Sequence, residues 1–257
     1  MKRRLFFLVI LSTLLLLFGT ALPIVDAAAP AEKPKPIRIL IVDNPGPEYY
    51  PMPTGTTLRN IIRQDKRFEV VLVEDAEVLG SDLPFDYDVI LLHFKNYRIP
   101  KRDAAMKANL EKFVDDGGGV FVYHFACGAF EDWPNFDKIS GRVWEPKKRA
   151  HDPYGPFTVQ MIDKAHPTML GLADFEIHDE LYTCLRDSEV PIHVLAEAVS
   201  KVDGKKYPMA FVLEKGKGRI FHTTLGHDDK SLSSVDFQKM IKQALSWCAK
   251  RDNPSSP

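Results

Sequence analysis

Cysteine is scarce in this chain, and what is missing around it excludes whole classes of chemistry. Only Cys127, Cys184 and Cys248 occur in 257 residues. The count is odd, no two are close in sequence and no CxxC forms. A disulfide scaffold, a thioredoxin-like redox site and a cysteine zinc knuckle are therefore excluded. A charge excess is missing too: 34 Lys and Arg face 35 Asp and Glu, a formal net charge of -1. Such balance gives no general attraction to a polyanion, so nucleic acid is not expected as a partner. There is no Walker A lysine loop, no GxGxxG and no HExxH. Gly117-Gly118-Gly119 precedes a strand pattern instead of following one, the wrong order for a phosphate cradle. Beyond the first 27 residues no stretch is long and apolar enough to cross a membrane.

The N-terminus carries the one long apolar run. Lys2, Arg3 and Arg4 precede residues 5–18, which are almost wholly apolar. Val25-Asp26-Ala27 follows, with small residues suited to cleavage after Ala27 or Ala29. Residues 1–27 therefore read as an export signal, and the expected location is periplasmic or secreted. The rival is an uncleaved N-terminal membrane anchor, since residues 5–25 nearly match a bilayer's thickness. No lipobox cysteine follows. Residues 28–36, with Pro30, Pro34 and Pro36, read as a linker; residues 37–249 form the domain and residues 250–257 a flexible tail.

Hydrophobic residues make up 45% of the chain, enough for one sizeable core. Aliphatic runs at 37–42, 68–73, 87–92 and 120–123 read as buried strands. Helical periodicity over 56–65 and 101–115 separates them, and the three glycines end the second helix. Further strands are expected at 157–162 and 192–196, with a hairpin of 209–213 and 219–224. An amphipathic helix over 235–249 closes the domain. This alternation predicts an α/β, flavodoxin-like three-layer domain with a mainly parallel central sheet. Residues 125–190 read as an irregular insertion.

In such a sheet ligands gather beyond the C-terminal ends of the strands. That edge begins at Asp43, at His93 and at His124. The segment after His124 is dense in chemistry: Cys127, Phe130, Glu131, Asp132 and Trp133. Cys127 has small neighbours but lies three residues past the strand end, off the register of a nucleophile elbow. His151 follows Lys147-Lys148-Arg149, a triplet read as a solvated face. Further on come His178, Asp179, Glu180 and Tyr182. Adjacent carboxylates alternate faces on a strand, so one can orient a histidine while the other meets ligand. Thr223-Thr224-Leu225-Gly226-His227 projects from a strand end, and Gly226 permits a turn that aims His227 inward. His222 reads as part of the sheet with no special role.

Together His124, His151, Asp179, Glu180 and His227 supply nitrogen and oxygen donors of the class that zinc, manganese and iron accept. A divalent metal on His124 and His227 is thus one expectation, and metal-free acid–base chemistry the other. Glu180, Asp179, His124 and His227 are the catalytic candidates. Trp133, Phe130, Tyr182, Thr224 and Glu48 are the substrate-binding candidates, the aromatic rings suiting the apolar face of a sugar.

Gly117-Gly118-Gly119, His124, Trp133-Pro134, Gly141, His166-Pro167, Asp179-Glu180-Tyr182, Gly218-Arg219 and Thr223 to His227 form an ordered series that resembles the ThuA-like, trehalose-utilisation family. The likeness runs over about residues 37–249. It implies a flavodoxin-like fold of the class I glutamine amidotransferase-like superfamily, with His124 where that superfamily leads into its cysteine elbow. It also implies a small-molecule carbohydrate partner, such as a disaccharide or keto-sugar, without amidotransferase chemistry. Members often carry a histidine in the loop after the first strand; here Pro47-Glu48-Tyr49-Tyr50-Pro51 has none, and Glu48 would replace it. The non-catalytic alternative is a sugar-binding or accessory module. Oligomeric state is open, a homo-oligomer included.

Overall fold

The computed structural model describes residues 35–44, 54–95, 101–130 and 132–251. The expected signal segment, residues 28–34 of the linker, Glu48, Glu131 and most of the expected tail lie outside these residues. Nine strands join into one sheet: β1 (Ile37–Asp43), β2 (Phe68–Val73), β3 (Val89–His93), β4 (Gly119–Tyr123), β5 (Gly155–Met161), β6 (Phe175–Asp179), β7 (His193–Val199), β8 (Lys206–Lys215) and β9 (Gly218–Thr223). Their spatial order is β2-β1-β3-β4-β9-β8-β7-β5-β6.

Four pairings at one end, β2–β1, β1–β3, β3–β4 and β4–β9, are parallel. The other four, β9–β8, β8–β7, β7–β5 and β5–β6, are antiparallel. The sheet is therefore mixed, a correction to the expectation of a mainly parallel one. The physical reason is the tight turn at Lys215–Gly218, where Gly216 takes a φ of +57° and reverses the chain directly. From β5 to β8 no α-helix intervenes to return the chain to a parallel direction.

Side-chain alternation along the parallel strands feeds two cores. Ile39 and Ile41 of β1, Val89 and Leu91 of β3, and Phe121 and Tyr123 of β4 face one way. There they meet α1 (Thr54–Arg63), through Leu58 and Ile62, and the C-terminal helix Val235–Cys248. Leu40, Val42, Ile90, Leu92, Val120 and Val122 face the other way, onto Met106, Leu110, Phe113 and Val114 of α2 (Asp103–Asp116). Both faces of these strands are thus covered, which is why they read as unbroken aliphatic runs. The three-layer arrangement follows. Short helices α3 (Asp137–Ser140) and α4 (Asp229–Leu232) precede the C-terminal helix, α5.

The expected irregular stretch contains regular structure: β5, β6 and α3 lie within it. β6 buries Phe175, Ile177 and Asp179, while Glu176 is exposed and His178 half-buried. This is a period-2 pattern. Gly117 ends α2 in the left-handed region, at φ +115°, and its N–H reaches the carbonyl of Val114.

Candidate functional site

Because β1, β3, β4 and β9 run parallel, their C-terminal ends share one edge of the sheet. Asp43, His93, His124 and Thr224 lie at that edge. The antiparallel half then folds chemistry over it. Asp152 N–H donates to the Leu181 carbonyl and Thr183 N–H to the Ala150 carbonyl, 2.9 and 3.0 Å. With the His151–Tyr182 bridge, these bonds bring His151, Glu180 and Tyr182 together.

His124 follows β4 directly and has a φ of +49°. A non-glycine residue in the left-handed region costs ~1–3 kcal/mol and persists only where its surroundings enforce it. Its ring is enforced on both sides. Nδ1 lies 2.7 Å from the Thr224 carbonyl oxygen, which only accepts, so Nδ1 carries the proton. Nε2 is then an acceptor and receives the Tyr182 hydroxyl at 3.0 Å. Burial pushes the His124 pKa down to about 3 against the opposing pull of the Thr224 carbonyl and of Glu180, so the ring is neutral.

Glu180 is the hub. Its Oε2 lies 3.1 Å from His227 Nδ1 and 3.7 Å from His124 Nε2, while Oε1 lies 3.3 Å from His151 Nε2. His151 in turn donates from Nδ1 to the Asp152 carbonyl at 2.6 Å. Burial raises the Glu180 pKa, but the His227 hydrogen bond and the neighbouring histidines outweigh it, and the carboxyl sits below its ordinary value. For His227 the same pair works in reverse. Burial disfavours its charge, yet Glu180, Asp179 and Asp228 hold the imidazole above the usual value.

Asp179 has a different position from its neighbour. It is fully buried, and its carboxylate accepts the N–H groups of Gly226, His227 and Glu180 at 2.6, 3.1 and 2.8 Å. Burial pushes its pKa up to about 7, opposed by those three donors. The carboxylate clamps the turn before α4, and so sets where His227 points. Gly226 enters that turn at φ +114°, with the Tyr123 hydroxyl oxygen 2.0 Å from where a Cβ would stand. Tyr123 donates to the Gly226 carbonyl at 3.1 Å.

His124, Glu180 and His227 each offer a ligand atom within 4.8 Å of the others, and this group forms a plausible divalent-metal site. The donor set fits such an ion: two imidazole nitrogens and a carboxylate oxygen. The His124 Nδ1–H bond to the Thr224 carbonyl is the outer-shell contact that fixes a ligating imidazole.

The other sequence candidates fall elsewhere. Phe130 is buried under α2 with Phe94 and Phe136, and Trp133 packs on the same cluster, stacked on Phe136. Thr224 meets the site through its carbonyl; its hydroxyl faces the Met209 sulfur. Glu48 lies outside the described residues. Cys127 is buried beside Tyr182 and Cys184. His222 sits within the sheet and donates from Nδ1 to the Ser140 carbonyl at 2.6 Å.

Two features went unread in the sequence, those around Trp144 and Tyr154, while the contact between Asp43 and His93 adds geometry to an edge already expected. Trp144 packs at right angles to Tyr182, with the buried Lys95 ammonium 4.8 Å from its ring. Tyr154 lies 5.4 Å from the His227 ring. At the β1–β3 edge, His93 lies 3.2 Å from the Asp43 carboxylate and 3.0 Å from the Thr54 hydroxyl. Asp43 and His93 close adjacent strands, a signal visible in sequence; Tyr154 and Trp144 sit in loops whose paths nothing local specifies.

Comparison with known proteins places this geometry. The family described as trehalose utilisation, ThuA, matches residues 38–248, and the chain belongs to it. A ThuA-like protein from Parabacteroides merdae has 24% identity, with 87% of this chain and 93% of that one covered, at a TM-score of 0.72. A glutamine amidotransferase from Thermotoga maritima shares the fold at 11% identity, covering 83% and 98%, TM-score 0.52. The fold is thus that of the glutamine amidotransferase-like superfamily. A cytoplasmic protein from Salmonella typhimurium also shares it at 12% identity, covering 82% and 98%, TM-score 0.55. Among curated proteins none matches. The cytoplasmic relative overturns the expectation of a periplasmic or secreted protein, which is withdrawn. Among the described residues no helix is long and apolar enough to cross a membrane; residues 5–25, on which the anchored alternative rests, lie outside them.

Proposed function

We propose that this chain is a metal-assisted enzyme of carbohydrate metabolism, acting on a disaccharide derivative or keto-sugar. One observation carries the reading: the lone pair of the neutral His124 Nε2 converges with His227 and the Glu180 carboxylate at the mouth of the parallel strands. His124, Glu180 and His227 would hold the ion. A divalent cation supplies Lewis acidity, polarising a carbonyl or hydroxyl oxygen of the substrate.

The remaining residues bind and move protons. Glu180 Oε1 lies 3.3 Å from Nε2 of the partly exposed His151, so a proton taken up by the carboxylate can be shared with that imidazole. The Tyr182 hydroxyl, now donating to His124, is placed to donate to a substrate oxygen instead. Asp179 positions His227 and touches no reacting atom in this reading. The family description supports the sugar class, and the ligand set supports the metal.

The test is turnover of a panel of disaccharides and their keto derivatives by the full-length chain with manganese or zinc, then with chelator. A loss of 100-fold or more on chelation, and in Glu180→Gln, is expected. Turnover indifferent to chelator and to Glu180→Gln contradicts the proposal, and binding without turnover assigns the chain to a sugar-binding module.

A further inference from the structure

Tyr154 is 39% exposed, yet it is fixed in place beside the centre. Its hydroxyl donates to the Asp228 carboxylate. Asp228 is itself immobilised as the N-cap of α4, accepting the Ser231 N–H at 2.9 Å and donating its own N–H to the Ser231 hydroxyl at 3.3 Å. The ring lies 4.4 Å from His178 and 5.4 Å from His227, tilted to both. Burial together with Asp228 raises the phenol above its ordinary pKa, so the ring stays neutral.

An aromatic ring that serves packing is normally covered, and one merely left on the surface is not held by its hydroxyl. Tyr182, the other tyrosine at the centre, is 2% exposed and stacked toward His151. The faces of its ring are covered by neighbouring rings, which leaves no face for a sugar to stack on. Tyr154 combines an open surface with a rigid mount, next to a residue that faces Glu180. Such a ring presents an apolar, electron-rich face at low entropic cost.

We infer that Tyr154 is a stacking platform for the C–H face of a pyranose ring, holding the sugar so that its oxygens reach Glu180 and His227. This rests on the carbohydrate reading above and adds a substrate-contact residue to it. The hydroxyl's task is to hold the ring; the ring's task is to hold the sugar.

The test uses the full-length, manganese-loaded protein and measures binding of trehalose, glucose and their keto derivatives by calorimetry and saturation-transfer NMR. Metal content is determined in parallel for wild type, Tyr154→Ala, Tyr154→Phe and Tyr154→Trp. The expected result is about tenfold weaker sugar binding in Tyr154→Ala, which is 1.4 kcal/mol. Tyr154→Phe and Tyr154→Trp should stay within about threefold of wild type, since each keeps a stacking ring. All variants should retain metal. Unchanged binding in Tyr154→Ala, or equal losses in Ala and Phe, overturns the stacking role while the carbohydrate reading stands. Wild-type protein that holds metal but binds neither these sugars nor their keto derivatives overturns both.

Discussion

The Nδ1 atom of His124 lies 2.7 Å from the carbonyl oxygen of Thr224, joining the ends of β4 and β9. That bond fixes the ring's tautomer and leaves Nε2 facing Glu180. Since burial holds the pKa down at about 3, the free protein should show a neutral Nδ1–H imidazole here. Long-range proton–nitrogen NMR of metal-free protein is expected to find that signature unchanged from pH 8 to pH 5. His227, held above the ordinary value by Glu180, should titrate later in alkali than a free histidine. An Nε2–H signature at His124 would contradict the assignment.

Asp179→Asn should loosen the turn that carries His227. The carboxylate accepts three backbone N–H groups, and an amide nitrogen placed there cannot accept any of them. The expected loss is about 1–3 kcal/mol of folding stability, the cost of an unsatisfied buried donor. Denaturant unfolding measures it, and metal affinity should fall alongside although Asp179 is not a ligand.

Gly226→Ala tests the same turn by geometry. The backbone stands at φ +114°, and the new Cβ would meet the Tyr123 hydroxyl oxygen at 2.0 Å. Backbone strain alone costs about 1–3 kcal/mol. Thermal unfolding should show a lower midpoint, with metal binding weakened because His227 is displaced.

His222 gives a pH dependence of stability separate from the metal site. Burial holds its pKa down to about 4, while the unfolded chain protonates near the ordinary imidazole value of 6.5. Between these values the unfolded state binds the extra proton, so stability is full above pH 6.5 and falls on acidification toward pH 4. The interval corresponds to a loss on the order of 3 kcal/mol. In His222→Asn that share of the pH slope should vanish, as urea titrations at pH 7 and pH 5 would show.

Much of this was legible in the chain. Buried parallel strands announce themselves as aliphatic runs, because both faces are covered, and β1, β3 and β4 were visible for that reason. The alternation of Phe175, Ile177 and Asp179 with polar residues marks β6, though its flanking loops hid it. Glu180, His124 and His227 lie 47 or more positions apart along the chain; His124 and His227 were readable because each follows an expected strand, and Glu180 because it pairs with Asp179 beside His178. Trp133 and Phe130 were misleading because aromatic content does not say which side of a sheet a loop will cover. Tyr154 was invisible for the complementary reason: its place depends on the antiparallel pairing of β5 with β6, a contact no local pattern encodes.

The proposed chemistry depends on a divalent ion held by His124, Glu180 and His227. Metal analysis by plasma mass spectrometry, on full-length protein purified without chelator and reloaded with manganese or zinc, tests it most directly beside a His124→Ala/His227→Ala double variant. About one ion per chain in the wild type, reduced to near zero in the folded double variant, is the predicted result. Equal metal content in the two proteins, or none in either after reloading, would contradict the account.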